Sequence, residues 1–147
     1  MSYSIKSEPW IVAEPEQPVY GKQEYPLQKE TYEIIGICME VHKELGYGFQ
    51  EVVYKDALEQ EFKWRNIPFE REKKYEINYK GIILPHYYFA DFVVRDNIIL
   101  EVKAQQGVIE DHYCQVINYL AASKCPVGLL VNFGEQSLRY KRLILSK

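Results

Sequence analysis

Three polar residues, Asp91, Glu101 and Lys103, stand in stretches whose apolar residues otherwise alternate as those of buried strands do. Two carboxylates and an ammonium suit one kind of work. The oxygens hold a hard divalent cation such as Mg²⁺ or Mn²⁺, and the ammonium orients or deprotonates an attacking water or offsets charge on a phosphate. This is the chemistry of phosphodiester hydrolysis.

Such residues act together only if they meet, and strand register decides that. Leu84, His86, Tyr88, Ala90, Phe92 and Val94 are expected on one face of a strand, which turns Asp91 and Val93 to the other. On the next strand Ile98, Leu100 and Val102 take the core side, with Glu101 and Lys103 opposite. A two-residue turn at Asp96-Asn97 would pair Asp91 with Val102 and set an apolar face against a polar one. A three-residue loop, Arg95-Asp96-Asn97 with Asn97 left-handed, instead pairs Val94 with Ile98, Phe92 with Leu100 and Asp91 with Glu101. The two carboxylates then originate about 5 Å apart, a repulsion that a divalent cation removes. The ordinary alternative is a diagonal Asp91–Lys103 ion pair on a solvated face, with Glu101 as a further surface charge.

The elements around this hairpin can be read from periodicity. Ile34, Cys38, Val41 and Leu45 recur at helical spacing from Leu27 onward, and Gly46 falls at a helix C-cap. A second helix runs from about Gly48 to Asn66 with Tyr54, Leu58 and Phe62 on one stripe, ending before Pro68. Glu51 shares that inward stripe. It reads either as a first-turn acid satisfying the helix N-terminus or as an inward carboxylate that needs a cation. Tyr75, Ile77 and Tyr79 then alternate before a Lys80-Gly81 hairpin turn, and the strand bearing Glu101 ends near Ala104. A third helix spans 110–122 with Tyr113, Val116, Ile117 and Leu120 inward. Val127 to Phe133 is nearly continuously apolar, and Leu138 to Leu145 forms a last strand. Gln115 and Tyr119 lie four apart on one face of the third helix, fit to bond one another at its edge or to serve the site.

Ala90-Asp91 followed by Glu101-Val102-Lys103 resembles the PD-(D/E)XK nuclease superfamily, and Gln115-Val116-Ile117-Asn118-Tyr119 resembles the QxxxY motif of its RecB-like nucleases. Gly48-Phe49-Gln50-Glu51-Val52-Val53-Tyr54 and Val131-Asn132-Phe133-Gly134 further resemble small bacterial proteins called the GxxExxR family. The resemblance implies an α/β, restriction-endonuclease-like fold with an α-β-β-β-α-β core and a mixed central sheet flanked by helices. It implies that Asp91, Glu101, Glu51 and the backbone carbonyl of Val102 bind the metal, that Lys103 is the catalytic lysine, and that Gln115 and Tyr119 orient the lysine or contact substrate. The implied activity is metal-dependent cleavage of nucleic acid, DNA before RNA. Two positions depart: Ala90 replaces the signature proline, and Tyr54 stands where the family's name has arginine.

The totals set bounds. The chain's 147 residues, 47% of them apolar and 14% aromatic, suit one domain, expected over 28–147. Residues 1–27 hold Pro9, Pro15, Pro18 and Pro26 and read as an extended or poorly ordered arm, which could dock on the domain or on a second copy through Trp10, Ile11, Val19 and Tyr20. A net charge of -3 supplies no global field toward nucleic acid, so phosphate contact falls to a local patch drawn from Lys63, Arg65, Arg71, Lys73, Lys74, Arg139, Lys141 and Arg142. The run Tyr87-Tyr88-Phe89 offers rings for base stacking, with Tyr88 assigned first to the core. Cys38, Cys114 and Cys125 form no CxxC pair, and neither a leader nor a membrane span is evident, so a cytoplasmic protein is expected. Two classes of function stay open: a nuclease, which as a homodimer would cut two strands, and a non-catalytic nucleic-acid- or protein-binding module that keeps the fold.

Overall fold

The computed structural model describes residues 4–7, 11–12, 27–107 and 111–146. Its elements are β1 (Ser4–Ser7), β2 (Ile11–Val12), α1 (Gln28–Leu45), α2 (Glu51–Trp64), β3 (Phe69–Tyr79), β4 (Ile82–Val94), β5 (Ile98–Lys103), α3 (Asp111–Ser123), β6 (Val127–Asn132) and β7 (Arg139–Ser146). From residue 28 this is the expected order. The described strands form one mixed sheet ordered β1-β7-β6-β5-β4-β3, with β2 also on β7. Only β5 and β6 run parallel, because α3 carries the chain back between them; the other neighbours are antiparallel. No described helix is long and apolar enough to cross a membrane.

Helices cover both faces. On one, Ile34, Cys38 and Val41 of α1 and Tyr54, Leu58 and Phe62 of α2 pack over Phe92, Leu100, Val102 and Val131. On the other, Val116 and Leu120 of α3 cover Ala90, Val93, Ile99 and Leu130. The central strands β5 and β6 are therefore buried on both sides, which is why they read as apolar runs. Part of the N-terminal arm is extended, with β1 and β2 bonded along β7. Trp10, Val19 and Tyr20 lie outside the described residues.

The register of the β4–β5 hairpin is the expected one: Val94 opposes Ile98 and Phe92 opposes Leu100 across a three-residue loop. Its left-handed residues are Arg95 (φ 54°) and Asp96 (φ 60°), not Asn97. The Lys80-Gly81 turn takes positive φ at both positions, 51° and 87°, as a two-residue hairpin of primed type requires. Pro85 falls where the β3–β4 register slips, between the Glu76–Tyr87 and Asn78–Ile83 pairs, so its missing N–H costs no ladder bond.

A second expectation also fails. Ala90 and Phe92 do not share a face: Ala90 packs toward α3, whereas Phe92 packs toward α2. The cause lies on the neighbouring strand. Pairing holds at Arg71–Phe92 and Lys73–Ala90, but Glu72, between them, adopts a left-handed φ of 54° and has no ladder partner. A left-handed residue breaks the two-residue alternation, so both strands exchange faces at the Glu72–Asp91 step.

Candidate active site

Asp91 sits at that step and at the end of the β4–β5 ladder, which stops at Phe92–Leu100. Beyond it the backbones are joined by side chains. The Asp91 N–H donates to Glu101 Oε1 (3.0 Å), and the Val102 N–H donates to Asp91 Oδ2 (2.8 Å). Each carboxylate thus accepts from the opposing strand and replaces ladder bonds that the kink removes. The two acids meet as the register predicted, by interlocking and not by plain cross-strand pairing.

Glu101 is almost completely buried. Burial, and next the charge of Asp91, pushes its carboxyl up to about 9, against the Asp91 backbone hydrogen bond and Lys103, which favour ionisation. Lys103 follows on the same side of β5, its Nζ 3.5 Å from Gln115 Oε1 of α3, long for a hydrogen bond. Tyr119, one turn on, is pushed up to about 12 by burial and then by Glu101 and Asp91, with a Gln115 hydrogen bond acting in the opposite direction. Glu51, the first residue of α2, is half-buried. Its carboxyl is raised by desolvation, lowered by Lys103 and raised by Asp91. Hydrogen bonds and charge interactions thus link all six sequence-predicted side chains.

Sequence reasoning missed Lys55. Its Nζ donates to Asp91 Oδ1 (2.9 Å) and also bonds Glu72, with only 11% of its side chain exposed. Burial lowers its pKa, but the bonds to Glu72 and Asp91 outweigh that and raise it. The alternative surface pair does not form: Asp91 bonds Lys55, not Lys103. Lys55 follows Glu51 by one helical turn, a spacing that places both on one face, and this was the available signal.

Two further groups hold the frame. The Tyr54 hydroxyl donates to Gly46 O (2.7 Å) and accepts from Phe49 N–H (3.2 Å), fixing the turn that leads into Glu51, while its ring stacks on Phe133 at 4.6 Å. Tyr54 is fully buried, so at this position the chain has a packing residue. Asn132, also fully buried, accepts from Gln105 N–H and Gly134 N–H and donates to Gln105 O and Glu135 Oε2; Phe133 N–H donates to Lys103 O (2.8 Å). The loop after β6 thereby clamps the chain just past Lys103. A Cβ on Gly134 would collide with the Gln105 backbone and lie 2.6 Å from Ala104 C. Asn132→Ala, which leaves several buried partners unbonded, is expected to cost about 1–3 kcal/mol of stability, measured by urea unfolding.

Most of the basic candidates are paired with acids or buried. Lys63, Arg65, Arg71, Lys73 and Arg139 are each bonded to a glutamate or aspartate, and Arg142 and Lys141 are buried against Thr31 and Tyr113. Lys74 is exposed and lies over the Tyr87 ring.

Residues 28–143 match the PD-(D/E)XK nuclease superfamily. The chain belongs to that superfamily. Asp91 and Glu101-Val102-Lys103, the residues the sequence resemblance assigned to its signature, lie within the matched span, and the alanine before Asp91 is fully buried. The match is to the superfamily as a whole and does not extend to the RecB-like and GxxExxR likenesses. No curated protein matches the chain. Among solved structures, that of SSO0001 is similar at 22% identity and a TM-score of 0.49, over 78% of this chain and 58% of that one, so the chain spans less than two thirds of its length.

PD-(D/E)XK nucleases typically use divalent metals. The donors here fit one in kind: Asp91, Glu101 and Glu51 offer oxygen, and burial with like charge disfavours ionisation of both glutamates, a penalty a cation relieves. The pair Asp91–Glu101 fits in number as well, since Mg²⁺ is commonly held by one or two carboxylates with waters. Among the described residues, no three His, Cys, Asp or Glu side chains stand together as a metal-holding group.

Proposed function

We propose that this chain is a metal-dependent nuclease that hydrolyses phosphodiester bonds, with DNA favoured over RNA and Mg²⁺ or Mn²⁺ as the metal. The observation that carries the reading is the interlock of Asp91 and Glu101 where the ladder ends, with Lys103 beside them on β5. Asp91, Glu101 and the Val102 carbonyl would hold the metal, with Glu51 facing them from α2. When bound, the ion supplies positive charge against that building on the phosphate and activates a water. Lys103 directs its ammonium at the attacking water or the phosphate, and Gln115 and Tyr119 of α3 set where that ammonium rests. Residues 28–147 form the working domain in this reading, and three free thiols suit a reducing compartment such as the cytoplasm.

The second reading is a binding module that keeps the fold without turnover. It is favoured by one observation: a lysine, Lys55, already neutralises Asp91. Incubating labelled single- and double-stranded DNA and RNA with wild type, Glu101→Ala and Lys103→Ala, with and without Mn²⁺, separates the two. The nuclease reading expects Mn²⁺-dependent cutting by wild type and its loss in both variants. Equal cutting by all three, or none by wild type, contradicts it.

A further inference from the structure

The face flip at Asp91 leaves a second feature on the strand that leads to it. Tyr87 and Phe89 alternate with Tyr88, which is held inward by stacking on Tyr119 at 4.0 Å and by its hydroxyl bond to Tyr119 O. They consequently point to the opposite side, where Glu72 and Asp91 meet Lys55 of α2. Both rings are exposed, 57% and 47%, and meet edge to face at 5.6 Å. Lys74, paired with Phe89 across the ladder, sets its ammonium 4.0 Å over the Tyr87 ring. Along an extended strand the rings precede Asp91 by about 7 and 13 Å.

From this placement we infer that Tyr87 and Phe89 form a stacking platform for single-stranded nucleic acid, delivering its backbone to Asp91. The inference rests on the nuclease reading for the site it supplies. Bases of a duplex already have both faces stacked, whereas an unpaired base offers a free face to a ring and its phosphate to a neighbouring ammonium. The surroundings favour stacking over phosphate attraction: on β3 Glu70, Glu72 and Glu76 balance Arg71, Lys73 and Lys74, and the chain's net charge is -3. The same charges along the β3 edge disfavour a second copy adding a strand there. Affinity therefore comes from the rings, and its dependence on salt is shallow.

Fluorescence anisotropy of the full chain in EDTA tests this, using labelled single-stranded DNA, single-stranded RNA and duplex DNA of equal length. Tyr87→Ala and Phe89→Ala are each expected to weaken single-strand binding about tenfold or more, while Tyr87→Phe and Phe89→Tyr retain it and duplex binding stays unchanged. The DNA and RNA arms establish which strand is preferred. Single-strand affinity equal to wild type in both alanine variants overturns the inference. So does a change in sedimentation with oligonucleotide binding intact, the mark of a protein-docking face. Mn²⁺-dependent cutting without ring-dependent binding defeats the platform and leaves the nuclease standing; ring-dependent binding without cutting does the reverse.

Discussion

Lys103→Ala is expected to lower Mn²⁺-dependent cleavage about 10²- to 10⁴-fold, the usual range for a positioned proton-transfer or charge-stabilising group. Lys103 is half-buried at the end of β5, and its ammonium makes a long contact to Gln115 Oε1. Little of the fold depends on it, so the melting temperature should move only slightly. The loss should fall on kcat with KM nearly unchanged, because an interaction made chiefly in the transition state is removed. Lys103→Arg should not rescue, since a guanidinium cannot give up its proton and fills the space differently. Single-turnover kinetics read both quantities. A variant whose kcat matches wild type would remove Lys103 from the chemistry.

Glu101→Gln is expected to stabilise the metal-free protein, increasingly so from pH 5 to pH 9. Burial, and then the Asp91 charge, pushes the Glu101 carboxyl up to about 9 from an ordinary 4.5. Between those values the folded chain keeps a proton that the unfolded chain has released, so stability falls as pH rises across that window. Glutamine removes the titration and keeps an oxygen acceptor for the Asp91 N–H. The gain at pH 8 is on the order of a few kcal/mol, read by urea unfolding in EDTA. Adding Mn²⁺ should raise the stability of wild type and have little effect on the variant, because binding to the folded state alone stabilises it. Parallel pH profiles for the two proteins would show that Glu101 is ionised without strain.

Much of this arrangement can be read from sequence where one-sided burial imposes a period. The stripes Ile34, Cys38, Val41 and Tyr54, Leu58, Phe62 place α1 and α2, and the apolar parity of β4 and β5 requires a three-residue loop. What escapes depends on distant partners. The split between Ala90 and Phe92 comes from the left-handed φ of Glu72, on another strand. Left-handed φ at Arg95 and Asp96 in place of Asn97 is set by the tight hairpin, against residue preference. Asn132 acquires its role from Gln105, 27 residues earlier, and Arg65 and Arg71 are paired with Glu40 and Asp56, acids that only the fold brings close. Lys55 was within reach, one turn from Glu51, but its partners Asp91 and Glu72 lie on other elements.

The interlocked carboxylates are the centre of the account, and a crystal soaked in Mn²⁺ and measured for anomalous scattering tests them most directly. The expected result is a peak bonded to both Asp91 and Glu101, with Lys55 drawn away from Asp91 Oδ1. Saturating Mn²⁺ with no peak there, and Lys55 still on Asp91, would contradict it.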